Sequence, residues 1–260
     1  MIYGAMIGDI VGSRFEFNNY RKKDFELFTD WCFFTDDTIM TMAVAKAVQE
    51  YQKDKTKSLG DLAIYWMQRL GMGYPNCGYG IRFYGWMYAE NPKPYNSFGN
   101  GAAMRVSACG NLGKTLDEVK FLSKAVTEVS HNHPEGIKGA EATAVCIFLA
   151  LNGKSKEEIR DYVCKNYYKL DFTIDQIRPT YQFNETCQDT VPQAIEAFLE
   201  STSFEDAIRI AISVGGDSDT LAAITGSIAE AFYGIPSALK VKAKSYLDQT
   251  LLETLDEIYR

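Results

Sequence analysis

Histidine is the scarcest residue of this sequence, and its scarcity limits the metal chemistry open to the chain. Two histidines, His131 and His133, occur among 260 residues, and the six cysteines include no Cys-x-x-Cys pair. Catalytic zinc sites typically use three protein ligands, drawn largely from histidine and cysteine. The sequence therefore excludes a three-histidine zinc site, and a bound metal should be one that prefers oxygen ligands.

Targeting and crosslinking features are also missing. The cysteines are scattered through a chain much longer than disulfide-stapled scaffolds, which favours reduced thiols and a cytoplasmic location. Residues 1–16 lack a basic segment, and Asp9 interrupts their apolar run, so we expect no export signal. No apolar run approaches the roughly 20 residues that a membrane-spanning helix requires, so we expect no membrane partner.

Basic charge is in deficit. The chain carries 27 lysines and arginines against 34 acidic residues, a net charge of −7, and no basic block stands out. Duplex nucleic acid is not an expected partner, because neutralising phosphates requires a basic face, whereas one phosphorylated small molecule remains open. The composition, 46% apolar and 23% charged, is that of a globular protein. A chain of this size buries about 73% of its surface by itself, so we expect a monomer.

Apolar residues recur at helical spacing along most of the chain, and no series of alternating strands is present. The stripes predict helices over 36–52, 59–70, 116–129, 135–151, 157–168, 190–199, 204–212, 220–233 and 239–252. Small residues repeat along one side of several helices, as at Gly4, Gly8 and Gly12, and allow close helix packing. We predict one all-α domain, residues 1–260, built as a compact orthogonal multi-helix bundle.

Two acidic helix starts lie far apart in the sequence and carry its clearest chemical signal. They are Thr35-Asp36-Asp37-Thr38 and Gly216-Asp217-Ser218-Asp219-Thr220. Threonine and aspartate are ordinary N-cap residues, but a cap needs one oxygen, whereas each segment crowds two carboxylates whose repulsion a cation would relieve. These oxygens favour Mg²⁺, Mn²⁺ or Ca²⁺. An EF-hand is excluded, because no closing glutamate follows at its twelfth position.

Together with three other segments in the same order, the acidic starts resemble the ADP-ribosylglycohydrolase family, which includes the dinitrogenase-reductase-activating glycohydrolase. The other segments are residues 4–12 (GAMIGDIVG) followed by Glu16, residues 99–105 (GNGAAMR), and Ser130-His131. The match covers nearly the whole chain, and five motifs in the family's order are highly specific. The resemblance implies an all-α fold of the ADP-ribosylglycohydrolase type, a dinuclear Mg²⁺ or Mn²⁺ centre, and hydrolysis of the bond between ADP-ribose and an acceptor.

The resemblance also implies roles for individual residues. The implied metal ligands are Thr35, Asp36, Asp37, Asp217, Asp219 and Thr220. The implied catalytic residues are Glu16, Asp36 and Asp37, of which Asp37 or Glu16 would take a proton from the attacking water. The implied substrate-binding residues are Gly78, Gly80, Asn100, Gly101, Ala102, Arg105 and His131.

Some of these residues also have ordinary structural explanations. Arg105 fits a structural ion pair, and His133, before Pro134, fits a helix cap. Residues 74–98 carry eight aromatic side chains that fit core packing, although one could stack on adenine. If the turn at Asn100 opens a helix, its unpaired N–H groups would suit a phosphate.

The sequence leaves the acceptor open. Arginine of an ADP-ribosylated protein is the preferred expectation, with ADP-ribose as product. Serine, an O-linked small molecule or a nucleobase are alternative acceptors, and a non-catalytic ADP-ribose binder is an alternative function. The acidic segment at Asp217 also superficially resembles the nucleophile motif of haloacid-dehalogenase phosphotransferases. Leu221 stands where that motif has Thr or Val, and no strand pattern precedes it, which disfavours this interpretation.

Overall fold

The computed structural model describes residues 2–260, and its regular elements are helices. The α-helices are α1 (Tyr3–Gly12), α2 (Asp36–Lys53), α3 (Leu59–Gly73), α4 (Ile81–Met87), α5 (Ser107–Leu112), α6 (Leu116–Thr127), α7 (Pro134–Leu151), α8 (Lys156–Asn166), α9 (Ile174–Ile177), α10 (Cys187–Glu200), α11 (Phe204–Val214), α12 (Ser218–Tyr233), α13 (Ser237–Lys244) and α14 (Gln249–Ile258). Within residues 2–260, one isolated bridge between Gly99 and Thr186 is the only strand-like pairing. The predicted all-α fold is confirmed. No described helix combines the length and apolarity needed to cross a membrane.

The closest helix pair is α1 with α12, and small residues make it possible. A Cβ on Gly4 would lie 2.1 Å from the carbonyl oxygen of Gly226, and a Cβ on Gly8 would lie 2.1 Å from that of Ala222. At the end of α1, a Cβ on Gly12 would lie 2.5 Å from Cα of Asp219. The predicted glycine stripe therefore brings α1 into backbone contact with α12, down to the acidic start of α12.

Around this pair, the other helices complete one apolar core. Helix α2 packs on α1, α3 and α5, and helix α7 packs on α5, α6, α10 and α12. Several of these helices contribute fully buried side chains to the core, such as Ile7, Met40, Val145, Phe198 and Ile224. The arrangement leaves the N-termini of α2 and α12 beside the end of α1, where the acidic residues are.

Two features of the helix pattern differ from the prediction. The expected helix over 239–252 is two helices, α13 and α14, because Asp248 accepts a hydrogen bond from the Leu251 N–H at 2.9 Å and starts a new helix. The short helices α4, α5 and α9 were not predicted, because four to seven residues give too few turns to show a period. The predicted helix cap at His133 is confirmed: its Nδ1 accepts from the Glu135 N–H at 3.1 Å.

Candidate metal centre and substrate cavity

A cavity of about 280 Å³ lies at the N-termini of α2 and α12. Every site residue suggested by the sequence lines this cavity except Ala102, which is fully buried behind it. The lining residues that the sequence suggested are Glu16, Thr35, Asp36, Asp37, Gly78, Gly80, Asn100, Gly101, Arg105, His131, Asp217, Asp219 and Thr220. Folding thus brings residues from six separate segments to one concave surface.

The two acidic helix starts face each other in this cavity. Carboxylate oxygens of Asp37 and Asp219 lie within 4.8 Å of one another, and Glu16, Asp217 and Asp219 form a second such group. The Thr220 hydroxyl donates a hydrogen bond to Asp37 Oδ2 at 3.1 Å, which joins the two segments directly. Asp219 belongs to both carboxylate groups and is therefore the centre of the cluster.

Helix capping accounts for only part of this acidic cluster. Thr35 caps α2, because its hydroxyl accepts from the Asp37 N–H at 3.3 Å. Asp217 occupies the N-cap position of α12, yet its side chain makes no capping bond and instead accepts from Asn100 Nδ2 at 2.7 Å. Asp37 Oδ1 is buried and has no hydrogen-bond partner within the described residues. A carboxylate oxygen in that position needs a ligand, since an unsatisfied buried acceptor is costly.

Burial and mutual repulsion both act on the carboxylates. Burial, followed by the charges of neighbouring aspartates, holds the pKa values of Asp36, Asp37 and Asp219 well above their usual range. Burial and the nearby charge of Asp217 raise the pKa of Glu16 to about 7. Without a counter-ion, the cluster therefore retains protons that isolated carboxylates would release.

The donor set fits hard divalent cations. It consists of carboxylate and hydroxyl oxygens at close range, it includes the unpartnered oxygen of Asp37, and it carries more negative charge than its surroundings compensate. Mg²⁺ and Mn²⁺ prefer such oxygen ligands. Asp36, Asp37, Asp217 and Asp219 could hold such ions, and the hydroxyls of Thr35 and Thr220 lie beside them.

Asp9 is a residue of this region that the sequence did not identify. It is fully buried on α1, and its carboxylate accepts from the backbone N–H groups of Thr35 and Thr38, each at 3.0 Å. It also accepts from both threonine hydroxyls, that of Thr35 at 2.7 Å. Although its oxygens lie within 4.8 Å of those of Asp37 and Asp219, they are already saturated with donors. Asp9 therefore holds the start of α2 in place.

We expect Asp9→Asn to weaken Mn²⁺ binding by about tenfold or more, since partners that orient metal ligands typically contribute that much. The amide keeps the side-chain volume but turns an N–H₂ group toward the N–H and O–H donors of Thr35 and Thr38. Calorimetric titration of the purified chain with Mn²⁺ measures the effect. Glu230→Gln is the matched control, because Glu230 is also buried at the α1–α12 contact and accepts from the Gly4 N–H at 2.8 Å. Equal affinities of the two variants would contradict the role of Asp9.

The rest of the cavity lining is built from glycines, rings and basic groups. Asn100–Ala102 forms a three-residue 3-10 turn rather than the start of a helix. The Asn100 N–H donates to Glu185 O at 2.7 Å and the Ala102 N–H donates to Gly99 O at 3.1 Å, so within the described residues only the Gly101 N–H of this turn is left without a partner. The expected row of unpaired N–H groups at a helix start is therefore reduced to one.

Arg105 and His131 lie side by side in the cavity lining. The Arg105 side chain is almost fully buried, and its partners are Ser130 and His131 rather than a carboxylate, so the structural ion pair does not explain it. Its guanidinium lies over the Phe83 ring, 5.3 Å from the centroid. Burial, with the positive charges of Arg105 and Arg82, holds the pKa of His131 well below its usual range. His131 is therefore neutral at physiological pH.

The segment Gly78–Gly80 passes beside the acidic cluster. Gly78 has φ of +93°, a left-handed conformation that favours glycine, and a Cβ there would lie 3.4 Å from Asp36 Oδ1. The N–H of Asp36 donates to the carbonyl of Cys77 at 2.7 Å, which ties this segment to α2. A Cβ on Gly80 would meet open space.

Eight further lining residues were not identified from the sequence as site residues: Ile81, Arg82, Phe83, Tyr95, Ser97, Gly99, Met104 and Glu185. Arg82 lies over the Tyr95 ring, 4.8 Å from its centroid, and donates to the Tyr95 carbonyl. Of the eight aromatic residues in 74–98, only Phe83 and Tyr95 line the cavity. Arg82 lies in the short helix α4, and Ser97 and Glu185 lie in loops. Isolated polar residues in such segments give no periodic signal, and only tertiary contacts reveal them.

Comparison with known proteins gives a consistent result. A family model described as ADP-ribosylglycohydrolase matches residues 1–259. The ADP-ribosylhydrolase ARH3 of Xenopus tropicalis is 23% identical, covering 99% of this chain and 94% of that protein. The ADP-ribosylarginine hydrolase Tri1 of Pseudomonas putida is 25% identical over 90% of this chain and 70% of its own length. The ADP-ribosyl-[dinitrogen reductase] glycohydrolase of Rhodospirillum rubrum is 25% identical over 86% of this chain and 78% of its own length.

A solved structure shares the fold. It is titled as an ADP-ribosylglycohydrolase-related protein complex, superposes with a TM-score of 0.69, and is 18% identical over 99% of this chain and 95% of that chain. At that identity the similarity establishes the helical architecture and nothing about the reaction.

Proposed function

This chain belongs to the ADP-ribosylglycohydrolase family and is a glycosidic-bond hydrolase, and we propose that it removes ADP-ribose from arginine side chains of proteins with two Mg²⁺ or Mn²⁺ ions. One observation carries the proposal. Two acidic segments, about 180 positions apart in sequence, converge around an unpartnered buried oxygen of Asp37, in a cavity that Arg82 and Arg105 also line.

The mixed charge of the cavity lining supports an ADP-ribose ligand, because acidic and basic side chains both line it. Asp36, Asp37, Asp217 and Asp219 form the acidic end. Arg82 and Arg105 line the same cavity, and their positive charges favour the negative diphosphate in that part of it. The ribose that carries the scissile bond would then lie over the acidic end.

The chemistry requires a fixed sugar and an activated water, because the transition state at the anomeric carbon resembles an oxocarbenium ion. Two divalent cations, when bound, supply Lewis acidity next to the anomeric carbon. Asp37 and Asp219 hold the acidic end together through Thr220, and the negative carboxylates stabilise positive charge that develops on the sugar. Glu16 is partly exposed beside Asp217 and Asp219, where it can accept a proton from the attacking water.

Arginine is the acceptor that the rim favours. Glu16 and Glu185 both line the cavity, and the charge of Glu185 acts on Glu16, so the two lie close together. A guanidinium is a planar cation that pairs well with carboxylates, whereas a serine hydroxyl gains nothing from their charge. The name of the Tri1 relative, an ADP-ribosylarginine hydrolase, is consistent with this choice. The monomeric state and the cytoplasmic location expected from the sequence stay predictions.

The test uses the purified chain and matched peptides that carry ADP-ribose on arginine or on serine. Release of ADP-ribose is followed by liquid chromatography in Mg²⁺, in Mn²⁺ and after EDTA treatment. We expect cleavage of the arginine peptide, loss of cleavage with EDTA, and recovery when either ion is restored. Faster cleavage of the serine peptide would overturn the choice of acceptor, activity in EDTA would overturn metal dependence, and ADP-ribose binding without any cleavage would identify a binder.

A further inference from the structure

Arg105, Ser130 and His131 form a short hydrogen-bonded chain beside the cavity. Arg105 Nη2 donates to the hydroxyl of Ser130 at 2.8 Å, and the same hydroxyl lies 2.8 Å from His131 Nδ1. Arg105 Nη2 is itself 3.4 Å from His131 Nδ1. Ser130 is fully buried, and Arg105 and His131 are 1% and 5% exposed, so bulk water does not compete for these bonds.

The donors and acceptors of these three side chains favour one arrangement. A guanidinium has N–H donors and no acceptor. Because Ser130 accepts from Arg105, its own proton is free to go to His131 Nδ1, which must then be an unprotonated acceptor. A proton on Nδ1 would instead face the Nη2 donor of Arg105 at 3.4 Å, and it would leave the Ser130 proton without an acceptor among the three side chains. A neutral imidazole with a bare Nδ1 carries its proton on Nε2.

The Nε2 edge of His131 faces the cavity across two glycines. A Cβ on Gly99 would lie 3.6 Å from Nε2 and a Cβ on Gly101 would lie 3.5 Å from it, so the glycines keep this edge uncovered. The ring is positioned between those of Tyr95 and Phe83, at centroid distances of 5.7 and 6.2 Å. His131 therefore presents one edge to the protein and the other to a ligand.

We propose that Arg105 and Ser130 are positioning residues that fix His131 as the Nε2–H tautomer, so that Nε2–H donates a hydrogen bond to an oxygen of the bound ligand. The acceptor is a ribose hydroxyl or a phosphate oxygen, which share this chemistry. The tautomer follows from the protein alone, whereas the identity of the ligand rests on the proposed function. Arg105 thus acts through His131 and not by pairing directly with phosphate.

Nuclear magnetic resonance can read the tautomer directly, because the chain has only two histidines. Long-range ¹H–¹⁵N correlation on the full chain labelled with ¹⁵N-histidine distinguishes a protonated ring nitrogen from a bare one. We expect a bare Nδ1 and a protonated Nε2 for His131 in the ligand-free protein. His133→Asn assigns the two spin systems, since His133 lies in the cap of α7. A ring with Nδ1–H, or an imidazolium at pH 7, would overturn the proposal.

Two variants test which residue sets the tautomer, and they should behave differently. In Ser130→Ala, the guanidinium 3.4 Å from Nδ1 can still only donate, so the Nε2–H tautomer should persist. In Arg105→Met, the hydroxyl of Ser130 can donate or accept, so both tautomers should appear. A single His131 tautomer in a folded Arg105→Met protein would show that Arg105 does not set the tautomer. If that variant does not fold, the wild-type and Ser130→Ala spectra still decide the tautomer.

Binding of ADP-ribose tests the ligand side of the proposal. His131→Gln retains an N–H donor and His131→Phe does not. The His131→Phe variant should therefore bind ADP-ribose about tenfold more weakly than the His131→Gln variant. Equal affinities would exclude the hydrogen bond from Nε2–H. If the wild-type chain does not bind ADP-ribose at all, the proposed function fails, and the spectra of the ligand-free protein still judge the tautomer.

Discussion

Asp219→Asn is expected to lower hydrolysis of ADP-ribosyl-arginine by about a thousandfold, because metal ions typically contribute several kcal/mol to such a transition state. Asp219 belongs to both groups of close carboxylates, so its loss disturbs both candidate ion sites at once. The variant should also lose most of its affinity for Mn²⁺. Steady-state kinetics and calorimetric titration on the same preparation measure the two effects, and Asp217→Ala should show both as well.

The stability of the metal-free Asp219→Asn protein should not fall, although its turnover and its affinity for Mn²⁺ do. Burial and the charges of Asp217 and Asp37 hold the pKa of Asp219 well above its usual range, which means that its ionised form is destabilised in the metal-free protein. Asp219→Asn therefore leaves the metal-free chain at least as stable as the wild type, while the rise in melting temperature on adding Mn²⁺ becomes small. Denaturation with and without Mn²⁺ separates these effects.

Glu230→Gln is the control for the loss of a buried carboxylate on the same helix. Glu230 accepts from the Gly4 N–H at 2.8 Å and does not line the cavity. The Glu230→Gln variant should retain wild-type turnover and Mn²⁺ affinity. It should lose about 1–3 kcal/mol of stability if the amide leaves the Gly4 N–H unpaired. An Asp219→Asn protein that keeps full turnover in EDTA, or that responds to Mn²⁺ like Glu230→Gln, would contradict a metal centre at this position.

The sequence predicted the acidic residues because two local patterns each carried more carboxylates than a helix cap requires. The convergence of Asp37 and Asp219 could be anticipated from the resemblance, but not from the residues themselves. Asp9 shows the limit of local patterns. One acid within an apolar helix looks like an interruption, and only the tertiary contacts with Thr35 and Thr38 show that four donors saturate it.

The turn at Asn100 shows a second limit. Its composition was consistent with the start of a helix, yet Glu185 from a remote loop accepts the Asn100 N–H and stops the turn from offering a row of donors. The same loop supplies a carboxylate to the rim. Contacts between loops distant in sequence are set by the packing of the helices that carry them, so no short window of residues contains them.

The glycine stripe of α1 links the stability of the fold to the geometry of the site, and Gly8→Ala should reveal this link. The added Cβ would lie 2.1 Å from the carbonyl oxygen of Ala222 and 2.5 Å from the backbone nitrogen of Ala223. Both neighbours are backbone atoms of α12 and cannot rotate away, so the helices must separate. We expect a loss of about 3 kcal/mol in the free energy of unfolding, measured by urea denaturation.

Gly85→Ala is the matched control, since Gly85 is an exposed glycine inside α4 with nothing within 4 Å of the added methyl group. That variant should gain about 0.5–1 kcal/mol, because alanine loses less backbone entropy in a helix than glycine. Asp9 follows Gly8 directly, and a shift of α1 moves the carboxylate that holds Thr35, so folded Gly8→Ala protein should also bind Mn²⁺ more weakly. Destabilisation with unchanged Mn²⁺ affinity would show that the start of α2 keeps its position without α1, and that the close contact with α12 serves stability alone.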